Sequence, residues 1–95
     1  MSEVQVVREL EDAGGWSFTV RVGRGSEDRL HTLTLSWADH EHWTRGSIPP
    51  STTAEAIVRV ALAAQGELPE RLDAGRLTRE IDGFSERLSA QLAGS

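Results

Sequence analysis

The 95-residue chain contains no cysteine, no tyrosine and no lysine, and it has no long apolar run. Each absence removes a class of protein. Without cysteine there are no disulfides and no thiolate metal ligands, the usual staples of small secreted folds. The most apolar stretch, Ile57 to Ala64, is short and interrupted by Arg59, too little to span a bilayer. The opening segment "MSEVQVVREL" lacks a basic stretch followed by an apolar one, so no signal peptide is expected and the expected location is cytoplasmic. A basic field is missing as well. Net charge is −5, with five arginines against eight acids in residues 1–46 and five against seven in residues 47–95. Neither half offers the positive potential that drives nonspecific nucleic-acid binding. The exclusive use of arginine reads as the coding bias of a GC-rich genome.

What is present suits one small globular domain spanning residues 1–95. The chain is 38% apolar and 26% charged, an ordinary balance for a folded domain. Three segments alternate with period two, as half-buried strands do. Val4, Val6 and Leu10 share one parity, although Arg8 interrupts it. In "GGWSFTVRVG", Trp16, Phe18, Val20 and Val22 face one way and Ser17, Thr19 and Arg21 the other. In "LHTLTLSW", Leu33, Leu35 and Trp37 are expected inward and Thr32, Thr34 and Ser36 outward. The linkers "EDAGG" and "GRGSED" have hairpin length, with Gly14, Gly15, Gly23 or Gly25 to supply positive φ. The expected result is a three-stranded antiparallel meander at about 3–10, 15–23 and 30–37, apolar on one face and in need of a cover.

The second half supplies that cover. A helix is expected over about 53–65, with Thr52 and Glu55 as a capping box, or Thr53 as N-cap, and Gly66 at its end. Its inward stripe would be Ile57, Val58, Ala61, Leu62 and Ala64. Asp73 can cap a further segment over about 74–92 with Leu77, Ile81, Phe84 and Leu88 inward, interrupted near Asp82-Gly83.

One stretch is chemically loaded: "LTLSWADHEHWTRGSIPP" packs two histidines, two acids and two tryptophans between Trp37 and Thr44. His31, Asp39, His40, Glu41 and His42 are the right types for a divalent metal. If Asp39 caps a short helix over 39–45, closed by Gly46, then His40 and His42 point about 200° apart and cannot share an ion. Ala38 and Trp43 would then form a small staple across its start. His31 shares the parity of Leu33 and should be a hydrogen-bonded residue at the core margin. The same histidines could move protons, but no nucleophile is tied to them by a motif. "GRGSED" leads into a strand and carries Glu27 and Asp28, so it is a hairpin rather than a phosphate loop. Arg21, Arg24 and Arg29, with Thr19 and Thr34, would line the outer sheet face, where no aromatic residue remains for bases to stack upon. Trp16, Trp37 and Trp43 are expected at the core or its margin, and Trp43, if exposed, would anchor an interface.

The order of elements also resembles a group of small bacterial α+β proteins without assigned activity. The likeness rests on the threonine-rich strand, "ADHEHWTRG", the helix "STTAEAIVRVALAAQ", "LPERLD", and the inward Leu77, Ile81 and Phe84, and it covers roughly Thr32 to Leu88. Leu72-Asp73-Ala74 stands where that group has a Phe-Asp-Leu-like segment, and Asp82-Gly83 occupies its C-terminal break. The resemblance implies the α+β layout and implies no activity.

The expectation is therefore an α+β domain acting as a small interaction module, homodimeric in one version, with no cofactor and no assigned catalytic residue. Trp43, His40, His42 and Arg21 are the interface candidates. Two alternatives stand beside it. One is a metal-dependent or acid/base enzyme using Asp39, His40 and His42, with His31 as a further ligand candidate. The other is a nucleic-acid-binding regulator reading through the outer sheet face.

Overall fold

Alternating apolar residues become strands because only one face of the sheet can be buried. The computed structural model describes residues 3–94, and all of their side chains except that of Arg24. Strands β1 (Glu3–Glu11), β2 (Gly15–Arg24) and β3 (Glu27–Ser36) form the expected antiparallel meander. Helix α1 (Trp37–Thr44) turns the corner, and α2 (Pro50–Gln65) crosses the sheet. The chain then returns as β4 (Arg71–Asp73), which pairs parallel to β3, and ends in α3 (Ala74–Glu80) and α4 (Phe84–Ala93). The sheet order is β1-β2-β3-β4. The fold is α+β, with the helices packed on a mostly antiparallel sheet. β4 was not foreseen, because three residues are too few to display a period.

The core forms where Phe18, Val20, Val22, Leu33 and Leu35 meet Ala54, Ile57, Val58 and Ala61 of α2 and Phe84 and Leu88 of α4, all of them buried. Asp73 caps α3 as expected, accepting hydrogen bonds from the Gly75 and Arg76 amides at 2.9 and 3.3 Å. The break falls at Gly83, whose φ of 67° ends any continuous helix. Leu77, Ile81, Phe84 and Leu88 are all buried on either side of it.

Several expectations are overturned. Leu10 does not share the face of Val4: a bulge between Val6 and Arg8 shifts the register, so Leu10 lies opposite Ser17 and is 52% exposed. One extra residue moves every later side chain to the other face. Ser36, not Asp39, caps α1; its hydroxyl accepts from the Asp39 amide at 3.0 Å. The helix therefore starts two residues earlier, Ala38 lies within it rather than before it, and Trp37 leaves the strand to stand 44% exposed. α1 ends on a left-handed Arg45, with Gly46 following at φ 77°. The capping box does not form either. α2 begins at Pro50 after Pro49; the Thr53 hydroxyl donates back to the Pro49 carbonyl at 3.1 Å, and Ala64 is exposed. Gly66 ends α2 at φ 77°, as its position suggested. Of the hairpin glycines, Gly25 has positive φ, at 64°. Gly15 answers a different need, since a Cβ there would lie 2.2 Å from the Leu35 carbonyl oxygen.

Candidate functional site: the outer face of the sheet

Two side chains of the loaded stretch, His40 and Thr44, tie the corner together. His40 is buried at 8% exposure, with Nε2 2.8 Å from the Ile48 carbonyl and its ring edge-on to Trp16 at 5.1 Å. A carbonyl accepts only, so Nε2 carries the proton and the ring ties α1 to the loop leading into α2. The Thr44 hydroxyl donates to the His40 carbonyl at 2.8 Å, closing the same corner. His42 is exposed and Asp39 half-buried. His31 is buried beside Val20 in the register, and its Nδ1 donates to the Pro69 carbonyl at 2.7 Å, at the core margin. Among the described residues, no group of three or more histidine or carboxylate side chains is arranged to hold a metal ion. Trp43 is half-buried, its ring 5.7 Å from that of Phe84, so it belongs to the core margin.

The face of the sheet turned away from the core is different. Pairing sets its residues in rows across the strands. Arg8, Thr19, Thr32 and Arg71 form one row, and Gln5, Arg21 and Leu30 the row beside it. Leu10, Ser17, Thr34 and Asp73 form a third, and Glu3, Gly23 and Asp28 lie at the opposite end. Arg21 donates to the Gln5 side-chain oxygen across the strands. Leu10 and Leu30 are 52% and 58% exposed. Arg29 is not on this face. It pairs with Val22 and shares the core-side parity, which its spacing from His31 and Leu33 already implied. The side chain of Arg24 lies outside those described.

Sequence reasoning missed Arg8, Arg71 and Leu10. Arg8 and Leu10 reach this face only through the bulge, and Arg71 only through β4. Where the face meets α3, Ser17, Thr32, Thr34 and Arg71 border a groove of about 540 Å³ with Arg76 and Glu80. Those last two form an ion pair at 3.7 Å. A smaller cavity of about 290 Å³ lies on the core side, with Val22, Leu62 and Leu68 as its apolar wall and Glu27, Arg29 and Glu67 around it. Its mixed signs present no single charge to a ligand. Among the described residues, no helix is long and apolar enough to cross a membrane.

Comparison with protein-family models, with curated proteins and with solved structures finds no match for this chain.

Proposed function

We propose that this protein is an interaction module that docks an acidic segment of another protein on the outer face of its sheet. The observation that carries this reading is charge placement. Arg8, Arg21 and Arg71 occupy the two central rows of a face whose other central residues are Gln5, Thr19, Thr32 and Leu30. Glu3, Asp28 and Asp73 lie only in its outer rows. A cationic strip favours an acidic partner segment. Leu30 within the strip and Leu10 in the row beside it supply the apolar contact that charge alone does not.

The same placement argues against a face-to-face homodimer, which would set arginines against arginines. It also gives bases nothing to stack on, since Trp16 and Phe18 share the core-side parity. The commitment of the His40 ring to Ile48 favours binding over acid/base chemistry at the corner.

The test is an amide-resolved NMR titration with a Glu- and Leu-rich peptide, beside a single-stranded oligonucleotide of equal charge. The peptide is expected to shift residues of the Arg8 and Arg21 rows, with affinity falling as salt rises. Charge reversal in R8E/R21E should abolish the shifts while leaving the fold intact. Binding of the oligonucleotide alone would replace this reading with nucleic-acid recognition. Shifts confined to α1 would move the site to the histidine corner.

A further inference from the structure

β1 is the sheet's long edge strand, nine residues with one side unpaired, and such an edge ordinarily invites another strand. The opposite edge is blunted, since β4 is three residues long and runs directly into α3. On β1 two of the backbone groups that face away from β2 are already engaged. The Val6 amide donates to Glu55 Oε2 at 3.0 Å, and the Val4 carbonyl accepts from Arg59 Nη2 at 3.3 Å. Glu55 and Arg59 are one turn apart on α2, so both emerge on the same side of the helix. An acceptor and a donor thus meet the strand where a neighbouring strand would place its own carbonyl and amide. The bulge at Val7 then disrupts the edge beyond them, leaving Val7 47% exposed.

We propose that Glu55 and Arg59 form an edge latch, and that the site they occupy is a pairing site for β1 of a second copy of this chain. The edge is self-complementary. With a two-fold axis at Gln5, Val4 of one copy lies opposite Val6 of the other. Each such pair exchanges both backbone hydrogen bonds, so the Val6 amide and Val4 carbonyl now held by the latch are among the groups the dimer would use. Gln5 would face its own counterpart, amide to amide, and the valines would extend the apolar face across the junction. No like charges are brought opposite one another at the axis. While the latch is closed the chain is monomeric through this edge; opening it makes a continuous sheet of two copies. This site lies at the edge of the outer face and shares Gln5 with it, while the Val4 and Val6 backbone groups belong to the edge alone.

Sedimentation velocity over a wide concentration range tests it with the full chain. The wild type should sediment without association through β1, and E55A/R59A should approach twice the mass, with a midpoint at least tenfold lower in concentration than any wild-type association. Adding Val6→Pro, which removes the outward amide at an edge position that tolerates proline, should return E55A/R59A to the monomer. Gln5→Cys in the E55A/R59A background should cross-link to itself under mild oxidation, and in the wild-type background it should not. If the double variant fails to fold by circular dichroism, E55A alone frees the Val6 amide and should show weaker association of the same kind. A folded E55A/R59A or E55A that stays monomeric throughout overturns the latch. So does a dimer indifferent to Val6→Pro, or a wild-type dimer that Val6→Pro dissolves.

Discussion

Replacing His40 by alanine distinguishes a structural corner from a chemical one. The substitution removes the Nε2–H donor that reaches the Ile48 carbonyl at 2.8 Å and the ring that meets Trp16 edge-on at 5.1 Å. Leaving a partly buried carbonyl without its partner costs about 1–3 kcal/mol. Losing the ring contact costs about 0.5–1.5 kcal/mol more. Alanine's better helix propensity returns roughly half a kcal/mol within α1. The net is a loss of about 2 kcal/mol, a large share of the 5–15 kcal/mol typical of a domain. Urea unfolding followed by tryptophan fluorescence should show the midpoint lowered by about 1–2 M. The thermal midpoint should fall by roughly 10 °C. Exposed His42 makes no such contact, so His42→Ala should stay within about 0.5 kcal/mol of the wild type. His40→Gln, whose amide nitrogen can reach where Nε2 sits, should recover part of the loss. Equal and small effects of His40→Ala and His42→Ala would refute the pinning of the corner by His40.

Two further outcomes follow from the same geometry. Gly15→Ala sets a Cβ 2.2 Å from the Leu35 carbonyl, so β2 and β3 must separate there; a loss of about 1–3 kcal/mol in the same urea assay is expected, and an unchanged midpoint would contradict it. Stoichiometric zinc should leave the imidazole resonances of His40 and His42 unmoved in NMR spectra, because the His40 ring is already bonded to Ile48; a joint shift of both rings would restore the metal reading.

Much of the fold was legible because burial on one face writes a period into the sequence. Phe18, Val20, Val22, Leu33 and Leu35 alternate and are buried; Leu77, Ile81, Phe84 and Leu88 keep helical spacing across a glycine break and are buried too. What failed was local choice between equivalent residues. Ser36 and Asp39 are both good N-caps three positions apart, and only the point where β3 leaves Gly15 selects the first. The bulge at Val7 has no marker of its own, since an extra valine beside Val6 reads as more strand. The outer face was therefore half visible. Arg21 was placed correctly, Arg29 was placed against its own parity, and Arg8 and Arg71 depended on a bulge and a short parallel strand.

Glu55 and Arg59 show why the remainder could not be read locally. Glu55 stands three residues after Thr52 and fits a capping box, while Arg59 reads as a charge interrupting an apolar run. Pro50 at the start of α2 has no amide to cap, and the Thr53 hydroxyl turns back to Pro49, so the helix start needs nothing from Glu55. That leaves the carboxylate free for the Val6 amide, 49 residues away in sequence. The Arg59 guanidinium, in turn, meets the Val4 carbonyl, 55 residues away. Both side chains sit in a helix for which neither is required, and both satisfy a strand whose own sequence gives no sign of them. Substitutions at these positions should therefore leave α2 in place and alter what β1 can pair with, whereas a capping role for Glu55 would show as fraying of α2 in the amide exchange of E55A.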